Sequence, residues 1–205
     1  MVSRDVPDIV VSRLPLYLRC LSFLAAEGRQ VTSSQELGQK LGISAAQIRK
    51  DLSHFGEFGK QGTGYDIKYL SEQLRRILKV TEEREVALVG AGDLGHALVH
   101  YGGLAGKGFR ISLVFDNNPQ KIGQQLGTFE ILDSESIETI IADRGIEIAV
   151  VAVPADAAQD VVDALVRAGV KAILNYAPIT VKVPEGVRVQ YIDPVIHLQR
   201  MAYYL

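Results

Sequence analysis

A glycine-rich segment, Gly90-Ala91-Gly92-Asp93-Leu94-Gly95, has the residue types and spacing that bind phosphate groups. It follows an apolar run with strand character, residues 86–89, and it opens a helical pattern. In such a turn Gly90 permits the tight bend, Gly92 lets a pyrophosphate approach the backbone, and Gly95 lets the helix pack closely on the strand. Unpaired N–H groups at the helix start would face the phosphates. The segment therefore predicts a nucleotide-binding turn.

An acidic residue, Asp116, ends the next apolar run, residues 111–115. It lies about 20 residues beyond the glycines, where a carboxylate that binds a ribose is expected. Residues 117–120 include no arginine that could hold a 2′-phosphate, so we expect NAD(H) rather than NADP(H). The alternative is a structural turn of an α/β protein, with Asp116 as a helix cap or a loop acid.

Two short helices are predicted upstream, each beginning with a capping box. The boxes are Ser33-Ser34-Gln35-Glu36 and Ser44-Ala45-Ala46-Gln47, and Gly42 turns the chain between the helices. This arrangement is typical of a helix-turn-helix. On the second helix Ile48, Leu52 and Phe55 recur at helical spacing, so that stripe must face inward.

The polar residues of the second helix suit a DNA groove. Gln can pair with adenine and Arg or Lys with guanine, while Lys, Ser and His suit phosphates. The candidate DNA-binding residues on this helix are Ser44, Gln47, Arg49, Lys50, Ser53 and His54. The alternative is a solvated helix face.

Residues 56–66 contain four glycines between aromatic residues, which predicts a β-hairpin with Lys60 near its tip. A helix-turn-helix followed by a glycine-rich basic hairpin is a winged helix, whose wing contacts the DNA backbone or the minor groove. A plain connector is the alternative. A helix over residues 69–78 closes this domain, and residues 79–85 are the predicted linker.

Another helix is predicted to precede these two, from Ser12 to Glu27, because apolar residues recur there at three- and four-residue spacing. Pro15 leaves two alternatives open, since the helix either begins near Ser12 or starts earlier and bends at the proline. We expect Cys20 to be a core or near-surface residue without a redox role.

Charge is distributed unevenly along the 205 residues. Residues 1–80 carry 12 Lys and Arg against 8 Asp and Glu, whereas residues 81–205 carry 10 against 16. A basic N-terminal piece on an acidic body points to a polyanionic partner. We therefore expect a winged-helix DNA-binding domain at 1–80, a cofactor-binding domain at 81–192 and a terminal helix at 193–205.

Composition argues against several other classes. The sequence has no run of about 18 or more apolar residues, so we expect no membrane span. It begins without the apolar core of a secretory signal, and its single cysteine forms no internal disulfide. These features predict a cytoplasmic protein, and we expect no metal site.

Strand and helix patterns alternate after Asp116. Strands are predicted at 129–132, 148–153, 172–174 and 187–192, and helices at 134–142 and 155–168. The alternation predicts an α/β fold, a Rossmann-like doubly wound parallel sheet. Ligands of such sheets bind at the carboxyl ends of the strands. The residues expected to share the crevice of the glycine turn, unless they are ordinary loop residues, are Val153, Pro154, Asn175, Tyr176 and Pro178.

The last segment, residues 194–205, is apolar nearly all round. A terminal helix of this kind cannot rest one face on its own domain and leave the rest in water. We expect it to be a domain-swapped dimerisation helix that packs into a partner subunit. Burial within the same chain is the alternative.

The whole chain resembles the Rex family of redox-sensing transcriptional repressors. The recognition-helix and wing motifs are the most discriminating part of the match. The motifs that carry the resemblance are Ser12-Arg13-Leu14-Pro15-Leu16-Tyr17, Gln47-Ile48-Arg49-Lys50-Asp51-Leu52-Ser53-His54-Phe55-Gly56, Gly62-Thr63-Gly64-Tyr65, the glycine-rich turn, and Ile173-Leu174-Asn175-Tyr176-Ala177-Pro178.

The resemblance implies a homodimer that binds a palindromic operator, represses genes of fermentative or respiratory metabolism, and releases the DNA when NADH rises. NADH and NAD+ are the implied cofactors. The resemblance also implies a switch in which Asp193 pairs with Arg19 in the DNA-binding state and with Tyr101, near the nicotinamide, when NADH is bound. Ala152 departs from the family pattern, because many relatives carry threonine there.

Two other functions are alternatives to the repressor. An NAD-dependent oxidoreductase needs a proton donor at the substrate carbonyl. None of five tyrosines considered, at 65, 69, 101, 176 and 191, is followed four residues later by lysine as in short-chain reductases, and little chain is left for a substrate domain. The other alternative is a non-catalytic module such as a coenzyme A binding domain. We predict a repressor without catalytic residues.

Overall fold

The computed structural model of the protein describes residues 6–60, 63–104 and 106–205. The chain divides into two compact units, Met1–Glu82 and Glu83–Leu205. Each unit has its own buried apolar core.

The first unit is a winged helix, as predicted. In it α2 and α3 are joined through Gly42, whose φ of +68° is left-handed. Strands β2 and β3 pair antiparallel to form the wing. The described elements are α1 (Asp8–Ala26), β1 (Val31–Thr32), α2 (Ser34–Leu41), α3 (Ala45–Ser53), β2 (Gly59–Lys60), β3 (Gly64–Asp66) and α4 (Ile67–Ile77).

Helix α1 begins at Asp8, so the earlier of the two predicted starts is the observed one, and Pro15 lies inside the helix. Contrary to expectation, α1 is long and apolar enough to cross a membrane by length and composition alone. Its apolar face is nevertheless buried against α2, α3 and α4. We therefore interpret α1 as the central core helix of this unit. The buried residues of α1 are Val10, Leu14, Tyr17, Cys20, Leu21 and Leu24.

Only half of each predicted capping box forms. Ser33 accepts from the backbone N–H of Glu36, and Ser44 accepts from that of Gln47. The reciprocal halves were predicted wrongly, because the Glu36 carboxylate binds side-chain donors and the Gln47 amide donates to Asp51. Glu36 pairs with the oppositely charged Arg29, and the Gln47 amide donates to a charged carboxylate, and such charge-assisted hydrogen bonds are the stronger ones.

A strand that sequence reasoning missed, β1, completes the small sheet. Strand β3 pairs antiparallel with β1 on one side and with β2 on the other. At Gly64, φ is +82° and an added Cβ would collide with the carbonyl oxygen of Thr32, so glycine is required there. Two residues are too few to show strand alternation, which is why the pattern gave no sign of β1.

The second unit contains a sheet of seven strands in the order β10-β9-β8-β4-β5-β7-β6. Neighbours pair in parallel except β6 and β7, which pair antiparallel. Apart from the edge strand β6, this is the Rossmann order, with its switch point between β4 and β8. The predicted fold is confirmed. The strands are β4 (Arg84–Val89), β5 (Phe109–Asp116), β6 (Gln125–Leu126), β7 (Phe129–Asp133), β8 (Ile148–Val151), β9 (Ala172–Asn175) and β10 (Arg188–Tyr191).

Four α-helices accompany the described part of this sheet, and some of their bounds differ from the predicted ones. The helix predicted from residue 134 begins at Ile137, after a 3-10 turn at Ser134–Ser136. Strand β8 stops at Val151, two residues before the predicted end. The helices are α5 (Asp93–Val99), α6 (Ile137–Arg144), α7 (Ala158–Arg167) and α8 (Pro194–Ala202).

The sheet is buried on both faces. Along β4, Ala87 and Val89 join the apolar cluster that includes residues of α6 and α7. Val86 and Leu88 face the opposite cluster. The alternation follows from the two-residue period of a strand. Packing on both faces holds the strands in place, and it thereby sets the positions of the loops that follow the strand ends and form the candidate site.

The terminal helix α8 has no buried residue in this chain. Its polar residues are few, and apolar side chains lie on opposite sides of it. Burial within the same chain, the alternative considered for this segment, is not observed. The exposed large apolar residues of the terminal segment are Val195, Ile196, Leu198, Met201, Tyr203, Tyr204 and Leu205.

Candidate functional site

The three glycines of the turn after β4 have different surroundings. A Cβ on Gly90, whose φ is +105°, would collide with the carbonyl oxygen of Ala152 on the neighbouring segment. A Cβ on Gly95 would collide with the carbonyl oxygen of Gly90, so the helix lies close to the strand end. A Cβ on Gly92 would have nothing within 4 Å. The outer glycines, Gly90 and Gly95, are therefore required for close packing, whereas the open space at Gly92 lets a ligand approach the backbone.

Asp116 lies buried at the end of β5, beside this turn. Its Oδ2 accepts from the backbone N–H of Ala91 at 2.8 Å and from the Lys121 ammonium at 3.2 Å, and its Oδ1 accepts from the N–H of Asn118 at 2.8 Å. Burial alone would raise the pKa of Asp116, but the two N–H groups and Lys121 together lower it below its ordinary value. The residue is therefore a carboxylate at neutral pH.

A cavity of about 530 Å³ lies at the carboxyl ends of the strands in this unit. That volume is in the range of small-molecule sites. The wall combines the glycine turn, the segment after β5, and the loop between β8 and α7. Among its residues are Gly90, Gly92, Asp116, Asn117, Asn118, Lys121, Glu135, Ala152, Val153, Pro154 and Asp160. Lys121 was not singled out in the sequence.

The loop after β9 does not line this cavity. The side-chain amide of Asn175 is fully buried, donates to the carbonyl oxygens of Ala177 and Ile179, and accepts from the N–H of Ala177. These bonds hold the loop in shape. Contact of Asn175, Tyr176 and Pro178 with a cofactor stays a prediction.

The expected DNA-facing residues of α3 are mostly exposed. Arg49 donates to the Ser34 hydroxyl at 3.0 Å, and the Ser53 hydroxyl donates to the carbonyl of Lys50 at 2.8 Å. Ser44, Lys50 and His54 are exposed as well, although Ser44 also caps the helix. For Lys60 the structure describes the backbone, in β2, but not the side chain. The tip residues 61 and 62 lie outside the described residues.

Sequence reasoning missed a buried charge cluster behind this face. Asp51 of α3 is buried and accepts from four donors: Nε and Nη2 of Arg13 at 2.6 and 2.7 Å, the Tyr17 hydroxyl at 2.5 Å, and the Gln47 amide at 2.7 Å. We call these four residues the Asp51 cluster. A carboxylate only accepts hydrogen bonds, so the Gln47 amide nitrogen faces Asp51 and its oxygen points elsewhere. The sequence offered one sign of this cluster, because the charged residue Asp51 stands next to Leu52 of the inward-facing stripe.

The three switch residues lie on different elements. Arg19 is an exposed residue of α1. Tyr101 follows α5 and is 60% exposed, and Asp193 caps α8 by accepting from the N–H of Val195 at 2.8 Å. Within the described part of the second unit no hydrogen bond joins Tyr101 to Asp193. Their roles stay predictions.

Among the described residues, no group of three or more His, Cys, Asp or Glu side chains could hold a metal ion. Cys20 is buried, and that burial raises the pKa of its thiol. A thiol in such surroundings is a core residue rather than a reactive one.

Two family models match the chain. The model described as "CoA binding domain" matches residues 81–179, and the model described as "Putative DNA-binding protein N-terminus" matches residues 5–53. The DNA-binding model lies within the first compact unit, and the CoA-binding model lies within the second apart from residues 81 and 82.

Relatives match over nearly the whole length. The redox-sensing transcriptional repressor Rex of Roseiflexus sp. is 52% identical over 201 residues, which are 98% of this chain and 91% of the relative. A crystal structure of RSP with beta-NAD+ and operator DNA is 38% identical, with a TM-score of 0.92 over 98% of this chain and 93% of that one. A crystal structure of RSP with beta-NADH is 36% identical, with a TM-score of 0.88 over 98% and 95%.

RSP is described as a Rex-family repressor, and the named relatives are transcriptional repressors rather than enzymes. This finding excludes the oxidoreductase considered above. Identity of this degree over both units also excludes a lone nucleotide-binding module. The chain therefore belongs to the Rex family of redox-sensing transcriptional repressors.

Proposed function

We propose that this protein is an NADH-responsive repressor, which binds a palindromic operator as a homodimer in the cytoplasm and releases it when NADH rises. The observation that carries the proposal is the match over 98% of the chain to a repressor solved both with beta-NAD+ and operator DNA and with beta-NADH. The cofactor is a signal here, since its bound form conveys the redox state and no hydride transfer is required.

The residues of the second unit fit a dinucleotide. The open space at Gly92 leaves room for the pyrophosphate beside backbone N–H groups. The buried Asp116 carboxylate can accept from a ribose hydroxyl, and the 530 Å³ cavity can take the adenosine half. The proposed cofactor-binding residues are Gly90, Ala91, Gly92, Asp93, Leu94, Gly95, Tyr101, Asp116, Val153, Pro154, Asn175, Tyr176 and Pro178.

The first unit supplies the proposed DNA contacts. Its recognition helix is α3, whose exposed side chains would reach base edges and phosphates. The proposed DNA-binding residues are Gln47, Arg49, Lys50 and Ser53 on α3, Ser44 and His54 at its two ends, and Lys60 on the wing.

NADH and operator DNA would favour different arrangements of the dimer, with Arg19, Tyr101 and Asp193 exchanging partners between them. A coupling free energy of about 1–3 kcal/mol, or roughly 5- to 150-fold in affinity, is typical of such linkage. Linkage is reciprocal, so operator DNA must weaken NADH binding by the same factor.

The direct test is a titration of the full chain with a fluorescent palindromic duplex, obtained by selection from random sequences. Saturating NADH should weaken duplex binding by roughly 5- to 150-fold, and saturating NAD+ should not. A non-palindromic duplex of the same length controls for sequence-independent binding. An operator affinity that is the same with and without NADH would contradict the proposal.

Replacing Asp116 by alanine should weaken NADH binding by about 10-fold or more, because hydrogen bonds to a charged group contribute about 1.5–3 kcal/mol. Isothermal titration calorimetry measures the effect. The matched control is Asp143→Ala, which removes an exposed carboxylate of α6 outside the cavity. Equal NADH affinities for the two variants would place the ribose elsewhere.

A further inference from the structure

The carboxylate of Asp116 already has most of its acceptor positions filled. Oδ2 accepts from Ala91 and Lys121, and Oδ1 accepts from Asn118. A carboxylate has about four lone-pair positions, so one remains, on Oδ1. A ribose presents two neighbouring hydroxyls. The second hydroxyl therefore needs a partner other than Asp116.

Lys121 is placed to be that partner. It lies in the cavity wall with Asp116, and its side chain is 36% exposed. An ammonium group carries three N–H donors, and one of them goes to Asp116. The other donors can bind a ribose hydroxyl oxygen. The same donors would bind a phosphate oxygen if one came within reach.

Charge in the wall is mainly negative. Lys121 is the only basic side chain among the described residues that line the cavity, which include the acids Asp116, Glu135 and Asp160. A phosphate monoester carries about −1.5 to −2 at pH 7. Asp116 therefore repels the 2′-phosphate of NADPH, whereas Lys121 attracts it. Toward the uncharged diol of NADH, both residues act favourably.

We propose that Lys121 is a second ribose-recognition residue, and that its ion pair with Asp116 masks a site for a 2′-phosphate. The proposal rests on the proposed function, because it takes the cavity to hold the adenine-side ribose of NADH. Asp116 then sets the preference for NADH by engaging the ammonium and repelling phosphate. Lys121 becomes a phosphate partner when the carboxylate is removed.

The test compares NADH and NADPH binding by calorimetry for four full-length proteins: wild type, Asp116→Ala, Lys121→Ala and the double variant. Asp116→Ala should gain about 10-fold or more in NADPH affinity, the typical effect of a charge-assisted hydrogen bond. The double variant should lose that gain. Lys121→Ala alone should weaken NADH binding and leave NADPH rejected.

Two further measurements keep the result decisive. Asp116→Asn retains an oxygen that can accept from Ala91, so it should show the same gain even if the alanine variant disturbs the turn. The gain should also shrink at high salt, because it comes from a partly exposed charge. A gain of equal size in the double variant, or no gain in either single Asp116 variant, would overturn the role of Lys121. Failure of the wild type to bind NADH would overturn the proposed function itself.

Discussion

Replacing Asp51 by alanine is expected to lower the free energy of unfolding of the first unit by about 3 kcal/mol. This is the lower end of the range for removing one partner of a buried ion pair, and it is appropriate because the Arg13 side chain is 19% exposed. The change leaves the Arg13 guanidinium, the Tyr17 hydroxyl and the Gln47 amide without their shared acceptor. Chemical denaturation of the full chain, with hydrogen exchange of α1 as the local probe, measures the loss.

The pH dependence of that loss has a definite sign. Burial alone would raise the pKa of Asp51, but hydrogen bonds from Arg13, Tyr17 and Gln47 lower it below its ordinary value. A lowered folded-state pKa stabilises the fold above the unfolded pKa, about 3.9, and that stabilisation is lost as pH falls through the folded value. The difference between wild type and Asp51→Ala should therefore be constant near neutral pH and shrink below about pH 4.

The same variant should bind the operator at least about 10-fold more weakly, a change of about 1.4 kcal/mol. Asp51 joins α3 to Arg13 and Tyr17 of α1, so its loss leaves the recognition helix less firmly placed. The matched control is the neighbouring Lys50→Ala, which removes an exposed charge and should change stability by no more than about 0.5 kcal/mol while still weakening DNA binding. Equal stabilities for the two variants would contradict the role given to the Asp51 cluster.

The sequence predicted best what depends on neighbouring residues. The glycine turn comes directly after strand β4, and Asp116 ends strand β5. Parallel pairing brings those two strand ends to one edge of the sheet, so their proximity could be predicted. The winged helix follows from N-cap serines, a left-handed Gly42 and the glycine-rich hairpin. In each of these motifs, the local backbone conformation requires a particular residue type, such as glycine in a tight turn or serine at a helix N-cap.

Partners distant in sequence were not predictable in the same way. Asp51 stands beside the inward stripe of α3, which indicates a buried charge, but its partner Arg13 lies 38 residues away and only tertiary packing brings the two together. Lys121 was not predicted, because an arginine is the usual partner of a 2′-phosphate and Lys121 lies one residue beyond the segment 117–120.

The terminal helix α8 leads to the other large expected effect. Its apolar side chains are exposed on opposite sides, and Leu198, for example, is 61% exposed in the single chain. Burial of one large apolar side chain contributes about 1.5–3 kcal/mol, so covering several of them in a partner subunit is strongly favourable. We therefore propose that α8 holds the homodimer together.

Deleting residues 194–205 should yield monomers by light scattering and weaken binding to a palindromic duplex by about 100-fold or more. The reason is that linking two recognition helices typically raises overall affinity by 10²–10⁴. Leu198→Glu should act in the same direction, because it places a charge in the interface, whereas Gln199→Ala on the same helix should leave the dimer intact. NADH binding to a monomeric variant would show that the second unit still folds. A deletion variant that stays dimeric with unchanged operator affinity would contradict the assignment of α8 as the dimerisation element.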